Sequence, residues 1–510
     1  MKKVIVVLLA AQLFCSAGIF AQSNGPIEEK DFVVAYDSYI RKTMERLPDI
    51  PGIAIVVIKD DRPIFIRAYG MADKEAGTEA DIDTMFYIAS STKSFTALSA
   101  ALLDKEGTIK FDEPISKYST GIRFKNPLPD RITVRDLLVH TSGLKNDALT
   151  FRMAYSGESD PRDMIRVFAD ATTFAEDRYG KYYYDNLGYN IYAVLLQHHL
   201  RKKWQDLLEE RIFVPLGMKH TTAYPSRSRS RKWKLAAPYI FDPVAAKTTR
   251  SPLGKTDNNM QSAGGLYASI SDIGRWLSMN LNYGKLNGKQ VIPAEVVRAA
   301  QVGYTKTKRD AFPFAGEGLY GLGWQIGKYR DEKVIYHHGG FPGYQSHISF
   351  LPEKKIAVAV LVNEGSVGGR AGHMLATYGY DWWLRTENLE QLYDKQLQDL
   401  VAGYAQGKRQ MQAAASERAK RSSQLTRPVA EYAGRYRNES FGTIEIAVSG
   451  NELAVRMANM SSIGTPFTEK ETIRVELVPG TGEVIRFQKN AEERIASLTY
   501  AGVQFVKVVR

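Results

Sequence analysis

The stretch Met85–Leu103 constrains the fold of this chain most, because it predicts a helix whose first turn carries two reactive side chains. Apolar residues such as Leu98 and Leu102 recur at helical spacing through it. Ser90 lies at the predicted start of the helix, and Lys93 follows three residues later. Residues three apart share one face of a helix, so the two side chains are expected to meet.

A serine and a lysine in contact form a candidate site for acyl transfer. A hydroxyl becomes nucleophilic when a base takes its proton, and burial can turn a lysine into that base. The N–H groups at a helix start also suit a developing oxyanion. The structural alternative is that Ser90 only caps the helix and Lys93 points to water. A second match, Ser142-Gly-Leu-Lys145, predicts a turn.

Length and composition indicate a globular protein of two or three domains. The chain has 510 residues, 44% of them hydrophobic and 24% charged, with a formal net charge of +12. The basic excess is diffuse apart from one run at 226–234, which favours a solvated loop over a nucleic-acid site. We therefore expect no nucleic-acid partner.

The first residues predict export. Met1–Ala21 has two lysines, an apolar run and a small residue at its end, which is typical of a signal peptide cleaved near Ala21. The apolar run is too short for a membrane span, so we expect no transmembrane segment in the mature chain. Cys15, the only cysteine, lies inside this signal and matches a lipidation site poorly. A disulfide-free exported chain indicates a bacterial periplasm or cell envelope.

Apolar runs predict one sheet assembled from both ends of the first domain. Ile53–Ile58 and Ile64–Tyr69 predict a hairpin, and Val334–Tyr336, Ser346–Leu351 and Ile356–Val362 predict an antiparallel meander. Between them, about 110–281 predicts a mostly helical insertion. We therefore expect a first domain over 22–387 that combines α/β structure with this all-α insertion, a helical linker over 388–426 and a small all-β domain over 427–510.

Two further motifs are candidates for the same site. Tyr184-Asp-Asn186 could supply a phenol that shuttles a proton and an amide that holds a lysine or a substrate, although it could also be a polar loop entering a helix. Another such tripeptide, Tyr436-Arg-Asn438, lies in the C-terminal region. His338 closes a strand before two glycines and could donate a hydrogen bond to substrate, or could be a satisfied histidine at a turn.

The order of these motifs resembles that of the serine β-lactamase and penicillin-binding-protein superfamily. Longer phrases are similar to its class C branch of esterases, D-aminopeptidases and carboxypeptidases. These phrases are Thr133–Leu144, Asn186–Tyr189, Ser262–Leu266, Tyr320–Trp324 and His338–Gly343. The resemblance covers about 31–385 and implies an antiparallel sheet flanked by helices. The tail from Val429 resembles a β-domain appended to such hydrolases.

The resemblance also implies a role for each matching residue. Ser90 would be the acylated nucleophile, Lys93 its proton acceptor and Tyr184 the acid–base group. Substrate binding would fall to Asn186, His338 and Gly340. The oxyanion hole would be formed by the backbone N–H groups of Ser90 and Phe341. A histidine replaces the lysine that true class C β-lactamases carry in the third motif.

We therefore predict an exported serine hydrolase that cleaves esters or D-amino-acid amides and peptides through an acyl-enzyme. A class C-type β-lactamase is the first alternative, and a non-hydrolytic penicillin-binding, envelope-binding or sensor protein is the second. The expected partner is a small-molecule or peptide substrate, with cell-wall-derived peptides among the candidates. No cofactor and no metal are expected, because no His-Glu-x-x-His pattern is present. The oligomeric state and the natural substrate are left open.

Overall fold

The computed structural model describes residues 27–157, 160–307 and 314–508. The predicted signal Met1–Ala21, with Cys15, lies outside the described residues. None of the helices in the described ranges combines the length and the apolar character that crossing a bilayer requires.

The described ranges contain these α-helices: α1 Ile27–Arg46, α2 Thr92–Lys105, α3 Val134–Leu138, α4 Asp147–Phe151, α5 Pro161–Ala171, α6 Leu187–Leu200, α7 Trp204–Leu208, α8 Val214–Leu216, α9 Ser228–Arg231, α10 Ile270–Leu281, α11 Ala294–Ala300, α12 Gly368–Trp383, α13 Leu389–Ala419 and α14 Val429–Tyr432. The strands before the last helix are β1 Gly52–Lys59, β2 Arg62–Asp73, β3 Thr78–Glu79, β4 Met85–Tyr87, β5 Leu144–Lys145, β6 Thr173–Phe174, β7 Thr221–Thr222, β8 Tyr239–Asp242, β9 Lys247–Arg250, β10 Tyr267–Ser269, β11 Lys285–Leu286, β12 Lys289–Gln290, β13 Thr305–Thr307, β14 Ala315–Tyr320, β15 Gln325–Tyr329, β16 Glu332–Phe341, β17 Tyr344–Leu351 and β18 Ile356–Val362. After it come β19 Gly434–Asn438, β20 Gly442–Ser449, β21 Glu452–Met457, β22 Met460–Pro466, β23 Thr472–Val475, β24 Glu483–Lys489, β25 Ile495–Tyr500 and β26 Val503–Val508.

The central sheet joins the two ends of the first domain, as the apolar runs predict. Its nine strands lie in the order β13-β14-β15-β16-β17-β18-β1-β2-β3. Strand β18 pairs antiparallel with β1, which brings Val362 opposite Ile53 and Lys59 opposite Ile356. The hairpin and the meander therefore form one sheet, and the predicted fold class is confirmed.

The two faces of the sheet are covered by different helices, because alternate residues of a strand point to opposite faces. Along β1, Ala54 and Val56 contribute to one apolar core, which also contains residues of α2 and α10. Ile55 and Val57 contribute to the other core, with residues of α1 and α12. A side chain on any central strand therefore faces either the α2 side or the α12 side.

Helices α3 to α9 and several short strands make up most of the predicted helical insertion. A three-stranded sheet, β4-β10-β7, ties its end to the strand that precedes α2. Helix α10, by contrast, packs directly on the central sheet, where Gly274 lies close to the side chains of Val56 and Ile58. The end of the insertion thus contributes to the layer that covers the α2 side.

The polar composition of α13 predicts a solvated linker along its whole length. Part of the helix is instead buried. Tyr393 and Leu397 are only 1% exposed and belong to the same core as α1 and α12. The Tyr393 hydroxyl donates to Asp381 at 3.0 Å, and the Lys408 ammonium pairs with Asp49 at 2.6 Å. Helix α13 therefore packs against the first domain over a stretch that extends at least to Lys408.

The C-terminal strands β19 to β26 form a closed barrel of antiparallel pairs. Alternating burial along β21 shows that one face of each strand fills the interior, with Leu453, Val455 and Met457 pointing inward. The barrel contacts the region of α4, where the rings of Phe151 and Phe441 lie 6.0 Å apart. The small all-β domain expected from the sequence is present.

Candidate active site

Ser90 lies in a tight turn between β4 and α2. The turn, Ala89–Ser91, is a 3-10 turn, and the α-helix begins two residues after Ser90 at Thr92. The Ser91 hydroxyl donates to the His337 carbonyl at 3.0 Å, which fastens the turn to β16. Ser91 and Thr92 are buried, whereas Ser90 is partly exposed and accessible to a substrate.

The Lys93 ammonium is buried and lies among three oxygens. Its Nζ is 3.1 Å from Ser90 Oγ, 2.7 Å from Asn186 Oδ1 and 2.8 Å from the Ala263 carbonyl. The structure therefore brings together two of the three predicted catalytic side chains, Ser90 and Lys93, with the predicted positioning amide of Asn186. The exposed alternative for Lys93 is wrong, because the side chain is fully buried.

These contacts determine where the lone pair of a neutral Lys93 would point. The Asn186 and Ala263 oxygens can only accept hydrogen bonds, so they take both N–H groups of a neutral amine. The remaining lone pair then faces Ser90 Oγ, which can donate its proton. Burial lowers the pKa of Lys93 to about 7, an effect that the nearby Asp185 carboxylate opposes. The geometry and the pKa together suit a general base near neutral pH.

We expect kcat/KM to rise with pH through about 7, because only the deprotonated amine can accept the Ser90 proton. Below this pKa the rate should fall about tenfold per pH unit, and above it the rate should level off. The measurement is kcat/KM for a neutral nitrophenyl ester from pH 5 to 9, corrected for spontaneous hydrolysis. A profile that is flat or that falls across pH 6 to 8 would argue against Lys93 as the base.

Tyr184 lies over Lys93 in an aromatic wall. Its ring centroid is 5.0 Å from Lys93 Nζ and 4.7 Å from the ring of His140, and Tyr320 lies 6.3 Å away. The Asp185 carboxylate caps α6 by accepting from the backbone N–H groups of Leu187 at 2.9 Å and Gly188 at 3.3 Å. This cap holds the residues on either side, Tyr184 and Asn186, at the entrance of the helix.

Strand β16, which carries the third motif, directs His337 and not His338 toward the site. Gly339 lies so close to the turn that a Cβ would be 2.0 Å from the Ile88 carbonyl, so this residue faces the α2 side. His337, two residues earlier, faces the same way, and its ring lies 6.1 Å from that of Tyr184. His338 points to the α12 side, 4.3 Å from the ring of His373. The role predicted for His338 is therefore wrong by one residue.

His337 is held as a neutral imidazole. Its Nε2 lies 3.4 Å from the Tyr320 hydroxyl, and its Nδ1 lies 2.8 Å from the His338 carbonyl. Burial, reinforced by the charge of Lys93, lowers the pKa of His337 to about 3. The side chain is buried and offers no positive charge at the site.

Gly340 and Phe341 close the strand at the mouth of the site. Gly340 is exposed and pairs with Gln345 on β17. The ring of Phe341 lies 3.4 Å from the Lys255 ammonium and 5.6 Å from the ring of Tyr87. Burial holds the pKa of Lys255 well below its usual range, and its Nζ has no hydrogen-bond partner among the described residues.

Sequence reasoning missed several residues of the site. His140, Asp185, Lys255, Ala263 and His337 are absent from the predicted set, although the Ala263 carbonyl and the His140 ring lie against Lys93 or Tyr184. Three of them could have been found from the sequence. His140 and Ala263 lie in segments that resemble the family named above, and Asp185 lies within the Tyr184 motif. Ser142 lies in the predicted turn, where its Oγ accepts from the Leu144 N–H at 3.3 Å.

Comparison with known proteins identifies the family of the chain. A family model described as Beta-lactamase matches residues 40–379. The D-alanyl-D-alanine-carboxypeptidase/endopeptidase AmpH of Escherichia coli is 26% identical over 365 residues, which span 70% of this chain and 90% of that protein. The unguisins hydrolase ungD' of Aspergillus campestris is 25% identical over 368 residues, which span 71% of this chain and 66% of that protein.

Solved structures share the fold. A penicillin-binding protein homologue from Pyrococcus abyssi superposes with a TM-score of 0.59 at 24% identity, covering 93% of this chain and 100% of that one. D-amino acid amidase from Ochrobactrum anthropi superposes with a TM-score of 0.55 at 22% identity, covering 69% and 98%. Because the family model matches about two thirds of the residues and the Ser-x-x-Lys pair is assembled, the chain belongs to the Beta-lactamase family of serine hydrolases.

Proposed function

We propose that this hydrolase cleaves esters or D-amino-acid amides and peptides through an acyl-enzyme on Ser90. The observation that carries the proposal is the buried Lys93 amine, 3.1 Å from Ser90 Oγ and held by two acceptor oxygens. Oγ attacks the substrate carbonyl and forms a C–O bond while Lys93 takes the hydroxyl proton. The tetrahedral intermediate then breaks its bond to the leaving group, which departs with a proton relayed through Tyr184.

Deacylation reverses the roles. A water molecule attacks the acyl carbonyl, its proton passes to Tyr184 or Lys93, and Ser90 leaves with a proton restored to Oγ. We assign the proton relay to Tyr184 because its ring lies over the Lys93 amine, and the positioning role to Asn186 because it hydrogen-bonds that amine.

For the oxyanion hole we propose the backbone N–H of Ser90 and that of Gly340, in place of Phe341. Phe341 and Tyr344 close a two-residue turn between β16 and β17. Such turns close on a hydrogen-bonded pair, and bonded residues alternate along a strand. The Phe341 N–H is therefore directed at β17, whereas that of Gly340 is directed at the opposite edge. Strand β15 covers that edge only as far as Tyr336.

We base the proposed substrate class on His337, the β16 side chain at the site, because it carries no fixed positive charge. His337 is neutral at physiological pH because burial lowers its pKa to about 3, and burial also holds the pKa of Lys255 below its usual range. A penicillin or cephalosporin carries a carboxylate that a neutral imidazole attracts weakly. Short esters and amides with uncharged acyl groups do not need such a charge.

We expect kcat/KM for a short nitrophenyl ester to exceed that for a chromogenic cephalosporin by at least about 100-fold, which corresponds to about 2.7 kcal/mol. A D-alanyl nitroanilide should also be cleaved. His337→Lys should narrow the gap by favouring substrates with a carboxylate. The measurement is kcat/KM for all three substrates with both proteins, and His198→Lys on the surface of α6 serves as the matched control.

The same panel separates the alternatives. Efficient cephalosporin turnover without ester hydrolysis would support a class C-type β-lactamase instead. A single acylation without turnover on any of the three substrates would support a non-hydrolytic penicillin-binding, envelope-binding or sensor protein. The intact mass of the protein after each incubation distinguishes a stable acyl-enzyme from an unreacted chain.

We also propose that the chain is exported and acts in the bacterial periplasm or cell envelope. The support is the basic and apolar character of Met1–Ala21. AmpH is named as a carboxypeptidase and endopeptidase for D-alanyl-D-alanine, which makes a cell-wall-derived peptide a reasonable substrate to test. The domain division 22–387, 388–426 and 427–510 is likewise a proposal, with the start of α13 assigned to the hydrolase part because Tyr393 is buried there.

A further inference from the structure

We propose that His338, His347 and His373 form a metal site, on the sheet face opposite Ser90, that takes Zn²⁺ or a similar divalent transition-metal ion. His338 on β16 pairs directly with His347 on β17, so their side chains share one face. Helix α12 covers this face and contributes His373. The three residues come from three packed elements, which suits a rigid site.

The imidazole nitrogens are close enough for one ion. One nitrogen from each of the three rings lies within 4.8 Å of the other two, and Nδ1 of His347 is 2.8 Å from Nδ1 of His373. Nitrogens bound tetrahedrally at about 2.0–2.1 Å lie about 3.3 Å apart. The His347–His373 pair needs to open by a few tenths of an ångström, and His338 needs to approach. Rotation of buried rings over this range leaves the backbone in place.

A metal ion would provide a partner for a buried ring nitrogen of His338. Neither of its ring nitrogens has a hydrogen-bond partner among the described residues, although both are buried. A buried polar atom without a partner destabilises the folded state, so such atoms are uncommon in folded proteins. An ion bound by one of these nitrogens would remove part of that destabilisation.

Residues behind the ligands hold them in orientation. Nε2 of His347 lies 2.6 Å from Ser349 Oγ, which lies 2.6 Å from the Tyr380 hydroxyl. These hydrogen bonds occupy Nε2 of His347 and leave its Nδ1 facing His373. The outer partners of metal-binding histidines commonly orient the rings in this way. Phe314 packs against His338 at 5.8 Å between ring centroids and lines the site with an apolar wall.

The ligand set indicates the ion and its role. Three imidazoles without thiolate suit Zn²⁺, Cu²⁺ or Ni²⁺, whereas Mg²⁺ and Ca²⁺ prefer oxygen ligands. The ion would join β16, β17 and α12 directly behind His337. Because Ser90 lies across the sheet, the ion would stabilise the strand that carries His337 without touching substrate.

The test is metal binding by the full chain after chelator treatment. With ZnCl₂ we expect one equivalent to survive equilibrium dialysis, measured by elemental mass spectrometry, and a Tm several degrees higher. CoCl₂ should produce visible d–d bands typical of tetrahedral nitrogen coordination. His373→Ala should weaken binding by at least about 100-fold. His198→Ala, a histidine near the end of α6, should leave it unchanged.

Two outcomes would overturn the proposal. One is Zn²⁺ binding by the native chain that is no tighter than by His373→Ala. The other needs no variant: a native chain whose Tm stoichiometric ZnCl₂ leaves unchanged and whose Co²⁺ spectrum lacks tetrahedral d–d bands. A higher Tm together with those bands would support the site even if His373→Ala does not fold. Ester hydrolysis is not part of this test, so it stands apart from the proposed function.

Discussion

Ser90→Ala is expected to lower kcat/KM for a short nitrophenyl ester by at least about 10³-fold, and by up to about 10⁶-fold if Ser90 and Lys93 act as a unit. The reason is that the Oγ to be acylated is lost, while Lys93 keeps its contacts with Asn186 and Ala263. The exposed hydroxyl contributes little to packing, so Tm should change by only a few degrees. The measurements are steady-state kinetics and thermal unfolding.

The matched control is Ser142→Ala, which removes the serine of the second Ser-x-x-Lys match. Ser142 accepts one hydrogen bond from the Leu144 N–H in a turn, so activity should stay within about threefold of the native value. A serine-reactive fluorophosphonate should label the peptide that contains Ser90. Labelling at Ser142, or full activity in Ser90→Ala, would show that the nucleophile is misassigned.

Tyr184→Phe is expected to lower kcat by about 10²–10⁴-fold, the range typical for losing a general acid–base group. The ring can keep its contacts with His140 and Lys93, so only the proton relay is removed. The acyl-enzyme should accumulate if Tyr184 also activates the deacylating water. Intact-mass spectrometry at short times after ester addition measures that species directly.

Tyr183→Phe is the matched control for this variant, because it removes the same hydroxyl one residue earlier in the same loop. Tyr183 is 43% exposed, and the Arg178 guanidinium lies 4.9 Å from its ring centroid, outside the site. Its kcat should remain within about twofold. Equal losses in the two variants would point to a general disturbance of the loop instead of a role for Tyr184.

Local pattern was sufficient for much of the fold. The continuous apolar runs of β1 and β18 predicted buried strands, and the hairpin and the meander were predicted to complete one sheet. The structure shows that β1 and β18 are the two strands that join them. Composition misjudged α13, because a mostly polar helix can still bury a few positions. Tyr393 and Leu397 do so against α1 and α12, and no periodicity in the polar remainder reveals it.

The contact between Ser90 and Lys93 was also predictable from the local sequence, since the two residues are three apart on a predicted helix. The choice between His337 and His338 could not be made from the local sequence. Adjacent residues of a strand face opposite sides of a sheet, so the correct one is known only when the position of the covering turn is known. The Ile88 carbonyl against Gly339 supplies that position and assigns His337 to the site.

The sequence by itself predicted the contact between Ser90 and Lys93, the apolar strands of the central sheet and the C-terminal β-domain, because each is encoded by spacing or periodicity within a short window. Only the tertiary structure decided how Lys93 is held, since its partners Asn186 and Ala263 lie 93 and 170 residues away. It alone also brought together three histidines from β16, β17 and α12. Burial, which lowers the pKa values of Lys93 and His337, is a property of the packed fold and has no local signature.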